Sequence, residues 1–187
     1  MTESTKMKIY QQAGGMLVSH MIAAVVAFIF GMTAFWWFLA QPVWKELFSV
    51  IFAGVYTGFI YVKAKKYAVY DRKPYTENQA NLLKGLLFGA VLAGATLLLW
   101  FFYWIGWTYF SSGDGLSGIV SMFFNFLFMV WTFPLNGIMG ADHGVLRLVG
   151  VVLMYVLPVV GSVAGYLAGY FKFNLMEKLQ GMMYEKN

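Results

Sequence analysis

Cysteine is absent from this chain of 187 residues, which excludes disulfide bonds, thiolate nucleophiles and thiolate-bound metals or clusters. Charged residues are scarce at 11%, whereas 60% of the residues are hydrophobic and the mean hydropathy is +0.67. This composition leaves too little polar surface to solvate a globular protein of this size. We therefore predict an all-α fold, in which one integral domain forms a polytopic bundle of membrane helices.

Familiar catalytic motifs are absent too. The sequence has no HExxH, GxSxG, P-loop or GxGxxG pattern and no acid pair at helical spacing. We therefore expect a non-enzymatic protein with no metal and no cofactor. A haem held by the two histidines, His20 and His143, is a minor alternative, as is a membrane enzyme built on Asp142 and His143.

Long apolar runs are what the chain has in abundance. They cover about residues 16–40, 46–63, 80–110, 117–135 and 146–171. The first run is longer than the core of a signal peptide, so we predict that it stays in the mature protein as a span. Gln41 and Pro42 break the helix after it, which predicts a tight hairpin between the first two runs.

The segment 63–84 is predicted to be a basic loop between the second and third spans. It carries six Lys and Arg residues against Asp71 and Glu77. The positive-inside rule places this loop and the N-terminus in the cytoplasm, where the cations contact anionic lipid headgroups. Because the basic residues lie beside apolar runs, we expect a multi-pass membrane protein and no nucleic-acid partner.

The boundaries of the third span have their own signals. Thr76-Glu77-Asn78-Gln79 has the pattern of a capping box, which predicts that the helix begins there. Its other end carries aromatic residues that prefer the headgroup level, namely Trp100, Tyr103, Trp104, Trp107 and Tyr109. The loop 111–115 is therefore expected on the external side.

The last third of the chain admits two topologies. If residues 118–133 cross fully, the chain has five spans, with nine Lys and Arg residues inside and four outside. If that run returns through Pro134-Leu135-Asn136-Gly137, it is re-entrant, the tail is inside, and the distribution is eleven inside and two outside. The charge rule favours re-entry. The ability of a plain helix to satisfy its own backbone favours five spans, and because this is the stronger structural argument we predict five spans, with re-entry as the alternative.

Small residues mark the faces on which these helices are expected to pack. Gly161, Gly165 and Gly169 repeat along the last span, and Gly85 and Gly89 do so along the third. Such rows let helix backbones approach closely, so we assign them to helix packing. In the first span one helix face carries His20 together with four small residues, Ala24, Ala27, Gly31 and Ala34. This spacing predicts that the imidazole points into the bundle.

The fourth run differs from the others in carrying a polar stripe, formed by Ser117, Ser121, Asn125, Thr132 and Asn136. An amide in hydrocarbon is costly without a partner, so we expect Asn125 to face another helix or a wet cavity. A solute path lined by Ser121, Asn125 and Thr132 is the functional interpretation. Interhelical hydrogen bonding is the structural one.

A group of ionisable residues precedes the last span. Asp142, His143 and Arg147 could relay protons or bind a charged headgroup. Equally, Asp142 fits the N-cap of the last helix and Arg147 can snorkel. Residues 172–187 have an amphipathic pattern, which predicts a tail lying on headgroups or on a partner.

The chain also resembles uncharacterised small polytopic membrane proteins of Gram-positive bacteria. The residues that carry the resemblance are Tyr70-Asp71-Arg72, Lys84-Gly85, Asn125, Pro134 and Gly165-Tyr166-Leu167-Ala168-Gly169-Tyr170. The resemblance implies a plasma-membrane location and no particular activity.

These observations lead to two functional hypotheses. The first is a binding or transport-related subunit of a membrane complex, whose functional surface is the polar fourth segment with Asp142, His143 and Arg147. Its partner is another membrane protein. The second is a homo-oligomeric channel, in which the glycine rows form the seam between copies and the polar stripe lines a pore.

Overall fold

The computed structural model describes residues 8–33, 42–73, 80–110, 115–139 and 144–172. These residues contain no strand, and their helices are α1 (Ile9–Thr33), α2 (Pro42–Asp71), α3 (Leu83–Ile105), α4 (Leu116–Thr132), α5 (Asn136–Met139) and α6 (Gly144–Tyr170). A π-helical turn, Gly106–Phe110, extends α3, and a 3-10 turn, Phe133–Leu135, joins α4 to α5.

Five helical segments within the described ranges are long and apolar enough to cross a membrane. They are Ile9–Thr33, Trp44–Asp71, Leu83–Phe110, Ser117–Met139 and Gly144–Tyr170. Their outer surfaces carry large apolar side chains that are more than half exposed, including Val18, Met21, Leu97 and Leu98. Such surfaces suit lipid rather than water. The chain is therefore an all-α polytopic membrane protein, as its composition predicts.

Close glycine contacts fix how α6 lies against its neighbours. Gly161 packs on Thr57, and a Cβ at Gly165 would meet the Tyr61 backbone carbonyl, so α6 runs parallel to α2. A Cβ at Gly89 would meet the Val159 backbone, and one at Gly85 would meet Tyr166, so α6 runs antiparallel to α3. Both glycine rows thus pack helices of the same molecule.

The two ends of the bundle can be distinguished by these directions. Gln12 near the start of α1 and Tyr166 near the end of α6 both bond Asp71 at the end of α2. We call this the Asp71 end, and the opposite end the far end. Since α1, α2, α3 and α6 alternate in direction, α3 finishes and α6 begins at the far end.

The segment between α3 and α6 therefore enters and leaves at the far end. Phe124 and Phe128 of α4 stack on Phe102 and Tyr103 of α3, and Trp131 bonds Thr96, near the middle of Leu83–Phe110. The chain then reverses, and its second limb returns towards the far end. There Phe133 packs on Phe28 and Phe52, Gly137 contacts Lys45, and Met139 contacts Gly150.

The reversal is possible because protein surrounds its irregular backbone. Phe133, Pro134, Leu135 and Ile138 are buried, and the Gly137 N–H donates to Ser49 Oγ at 2.7 Å. Pro134 has no N–H to leave unsatisfied. Non-helical backbone at membrane depth is tolerated under these conditions. Within the bundle α1, α2, α3 and α6 thus run between the two ends, whereas the segment between α3 and α6 enters and leaves at the far end. This arrangement corresponds to the re-entrant alternative favoured by the charge rule and not to the five spans that we predicted.

Two boundaries differ from the sequence prediction. The predicted loop 63–84 is helical up to Asp71, since α2 continues through its lysines. α3 begins at Leu83 rather than at the predicted capping box, whose residues 76–79 lie outside the described residues. The predicted amphipathic tail beyond Lys172 also lies outside them.

Candidate functional site: two buried polar clusters

A buried carboxylate joins the helices at the Asp71 end. Asp71 Oδ1 accepts a hydrogen bond of 2.6 Å from Gln12 Nε2. Its Oδ2 accepts from Lys84 Nζ at 2.9 Å and from the Tyr166 hydroxyl at 2.8 Å. Gln12, Asp71, Lys84 and Tyr166 are all buried. We call these four residues the Asp71 cluster, and they connect α1, α2, α3 and α6.

The chemistry of the Asp71 cluster explains why it can be buried. Removing a carboxylate and an ammonium from water is costly unless they pair and their remaining groups find partners. The direct Asp71–Lys84 contact, supported by an amide and a phenol, meets this condition. Next to it, Arg72 Nη1 donates to the Gly169 carbonyl at 3.0 Å, near the end of α6. Gln12 Oε1 has no hydrogen-bond partner among the described residues.

The second cluster lies at mid-depth, around His20. His20 Nδ1 and the Tyr56 hydroxyl share a hydrogen bond of 2.6 Å, whose donor depends on the tautomer. The imidazole lies 3.8 Å from the Trp131 ring, centroid to centroid. Trp131 Nε1 donates to Thr96 Oγ1 at 2.9 Å. We call His20, Tyr56, Thr96 and Trp131 the His20 site.

The His20 site brings the tip of the re-entrant segment against an acid–base group. His20 is 4% exposed and lies on the buried face of α1, as the spacing of small residues predicts. The Trp131 backbone approaches the ring, but in the described part of the chain no group forms a hydrogen bond of good geometry with Nε2. A buried polar atom without a partner indicates a place for water, a proton or a small polar ligand.

The residues of the predicted polar stripe lie in different environments in the structure. Thr132 is buried and donates its hydroxyl to the Phe128 carbonyl, and Ser121 is half-buried beside Gly106. Asn125, expected against another helix or a wet cavity, is exposed on the outer face of α4. Ser121, Asn125 and Thr132 therefore line no common path within one copy of the described structure.

The predicted ionisable group before α6 is described only in part. Asp142 and His143 lie outside the described residues. Arg147 is exposed in the first turns of α6. Because α6 begins at the far end, Arg147 lies at the opposite end of the bundle from the Asp71 cluster.

The Asp71 cluster was missed by the sequence prediction, which grouped Asp71 and Lys84 with a solvated basic loop. One signal was available for Gln12, since Gln12, Met16 and His20 follow each other at a spacing of four and share the buried face of α1. No signal in the sequence pairs Asp71 with Tyr166, because their contact depends on the packing of α2 and α6.

The fold and its apolar outer surface define a class, namely polytopic membrane proteins. Among the described residues no group of three or more His, Asp or Glu side chains could hold a metal ion. The chain matches no family model, no curated protein and no solved structure.

Proposed function

We propose that the chain is a transport-related membrane protein and that the His20 site is its solute or proton site. The observation that carries this proposal is the buried Nε2 of His20 at the tip of the re-entrant segment, to which no group in the described part of the chain forms a hydrogen bond of good geometry. Ionisable residues within a membrane protein commonly belong to ion or proton pathways. Re-entrant backbone is likewise a recurring element of substrate paths.

The Asp71 cluster supports a path that continues from the His20 site. Gln12 and His20 lie on the same face of α1, about 12 Å apart along the helix axis at 1.5 Å per residue. Gln12 Oε1, like His20 Nε2, is buried without a described partner. At this separation a chain of several waters, rather than one bridging water, would have to connect the two groups. The path would then run from Asp71 past Gln12 to His20 and the re-entrant tip.

The orientation follows from the charges at the two ends. The described cations at the far end are Lys45 and Arg147, whereas eight are carried by the segments that form the Asp71 end, namely Lys8, Lys63, Lys65, Lys66, Arg72, Lys73, Lys84 and Lys172. The positive-inside rule therefore supports a cytoplasmic Asp71 end, with residues 8 and 172 both inside. The plasma membrane is the location that we expect.

Proton flux into liposomes tests the proposal directly. The full chain is reconstituted into vesicles that contain a pH-sensitive dye, and a potassium diffusion potential drives protons across the membrane. We expect faster acidification than in protein-free vesicles, and the same rate from wild-type protein and Lys66→Gln, a change at an exposed lysine. Equal rates with and without protein would contradict a proton path.

Two amide variants test whether the flux depends on the titratable imidazole of His20. His20→Asn places an amide near the position of Nδ1 and can still bond Tyr56, but it has no group at the position of Nε2. His20→Gln places an amide near the position of Nε2. We expect proton flux to be lost in both variants because an amide does not titrate. Proton flux that persists in a folded His20→Asn variant would contradict the assignment of the proton site to His20.

One observation favours the homo-oligomeric channel as a second candidate. Asn125 is exposed between apolar side chains that are also exposed, Met122, Phe123 and Phe126. An amide at such a position gains a hydrogen bond when two copies pair, because it carries both a donor and an acceptor. Disulfide formation by Asn125→Cys in vesicles, and its absence in Leu97→Cys on the outer face of α3, would support this candidate. Equal cross-linking at both positions would contradict it.

A further inference from the structure

A groove of about 870 Å³ opens on the outer surface at the Asp71 end. Its walls come from α1, from the start of α3 and from the end of α6, and include Ile9, Asn81, Lys84, Leu87, Ala90 and Tyr170. A volume of this size is typical of sites that hold a whole small molecule. The groove is separate from the His20 site.

The groove is polar at its mouth and apolar along the rest of its length. Asn81 and Lys84 lie at its mouth, near the end of the bundle, and Leu86, Leu87 and Ala90 continue along α3 towards mid-depth. From residue 83 to residue 90 the helix covers about 10 Å at 1.5 Å per residue. The exposed leucines Leu86 and Leu87 form an apolar wall below the polar mouth. This arrangement matches an amphiphile with its polar group at the membrane boundary.

The mouth of the groove carries positive charge. Lys84 lines it with its charge paired to Asp71, so the net positive charge comes from the exposed Lys8, which precedes Ile9, and the exposed Lys172, which follows Tyr170 by two residues. Among the described residues, Asp71 is the acidic one at this end, and it is buried and bonded to Gln12, Lys84 and Tyr166. The N-terminus of α3, with its positive dipole end, begins at Leu83 beside the same mouth.

We propose that this groove binds an anionic phospholipid, with the phosphate at the mouth near Lys84 and Asn81 and an acyl chain along Leu87 and Ala90. A soluble phosphate would use the charged mouth and leave the apolar wall uncovered. A zwitterionic lipid would use the wall but gain less from the cations. The groove shares Lys84 with the Asp71 cluster, but none of its lining residues belongs to the His20 site, so lipid binding is measured separately from proton flux.

Lipid binding to the delipidated full chain in detergent tests the proposal by native mass spectrometry and thermal unfolding. The probes are phosphatidylglycerol and phosphatidylcholine with identical acyl chains, and inorganic phosphate alone. We expect phosphatidylglycerol to give a retained lipid adduct and a rise in Tm, and both effects to fall at high salt. Equal effects of the two lipids would overturn the charge argument. A full effect of inorganic phosphate would overturn the assignment to a lipid.

A pair of matched variants locates the site. Ala90→Trp fills the groove with a large ring, whereas Leu97→Trp adds a ring to exposed surface of the same helix outside the groove. We expect the phosphatidylglycerol adduct to be lost in Ala90→Trp, weakened in Lys8→Gln combined with Lys172→Gln, and retained in Leu97→Trp. Retention in Ala90→Trp would overturn the site. The site would also be overturned if the wild-type chain were a dimer that Ala90→Trp converts to a monomer without any lipid effect. A second copy of the chain would then occupy the groove.

Discussion

At the scale of the residue, Asp71 is the group whose burial depends most on its neighbours. Its two oxygens accept from Gln12, Lys84 and Tyr166, which belong to three other helices. Such a carboxylate is stable only while its partners remain, because an unpaired buried charge is far more costly than a paired one. The Asp71 cluster therefore couples the packing of α1, α2, α3 and α6.

Asp71→Asn is expected to destabilise the bundle. The change removes the countercharge of Lys84, which is 8% exposed, and breaking a buried ion pair costs about 3–5 kcal/mol. Thermal unfolding in mild detergent, followed by tryptophan fluorescence, measures the loss. Lys66→Gln changes an exposed lysine on the same helix, so it serves as the control and should leave Tm unchanged.

A double variant separates charge pairing from packing. Asp71→Leu combined with Lys84→Met replaces the buried pair by apolar side chains, and such replacements are often neutral or stabilising. We expect the double variant to be more stable than Asp71→Asn alone. If the double variant were less stable than Asp71→Asn, the Asp71–Lys84 pair would itself stabilise the bundle, beyond each charge offsetting the cost of burying the other.

At the scale of the element, the re-entrant segment shows where one physical rule outweighs another. A continuous helix satisfies its own backbone, which favours a fifth crossing. Here Ser49 Oγ accepts a hydrogen bond from the Gly137 N–H, and neighbouring helices bury the turn. The reversal therefore exposes no irregular backbone to lipid. The sequence contains Pro134 and Gly137, but it does not reveal that Ser49 and Lys45 lie opposite them.

Gly137→Ala is expected to displace the returning limb of the re-entrant segment. A Cβ there would meet the Lys45 backbone carbonyl and the Ser49 hydroxyl. Overpacking of this kind costs about 1–3 kcal/mol, which thermal unfolding detects as a lower Tm. Gly144→Ala is the matched control, because nothing lies within 4 Å of its Cβ position. Equal Tm values for the two variants would contradict the observed docking.

Gly165→Ala is expected to separate α6 from α2. Its Cβ would meet the backbone of Tyr61, which cannot move aside as a flexible side chain could. We expect a loss of about 1–3 kcal/mol on unfolding in detergent. Gly58→Ala, on α2 with nothing within 4 Å of its Cβ position, should show no loss, since alanine favours the helix. A similar loss in both variants would argue against close α2–α6 packing.

At the scale of the whole molecule, composition and spacing predict the helical membrane fold, while long-range contacts determine the candidate sites. The inward orientation of His20 follows from the small residues that share its face. Its bond to Tyr56 and its contact with Trp131 do not, because they depend on how α1, α2 and the re-entrant tip meet. Asp71 was missed for the same reason, since a carboxylate among lysines is also typical of a solvated loop.

The central claim is that the segment between α3 and α6 enters and leaves at one end of the bundle, and the absence of cysteine makes it directly measurable. Single cysteines at the exposed positions Lys8, Tyr109, Gly144 and Lys172 are labelled with an impermeant maleimide from each side of sealed vesicles. We predict that Lys8→Cys and Lys172→Cys label from one side, and Tyr109→Cys and Gly144→Cys from the other. Labelling of Gly144→Cys from the same side as Lys8→Cys, with Lys172→Cys opposite, would contradict the re-entrant topology.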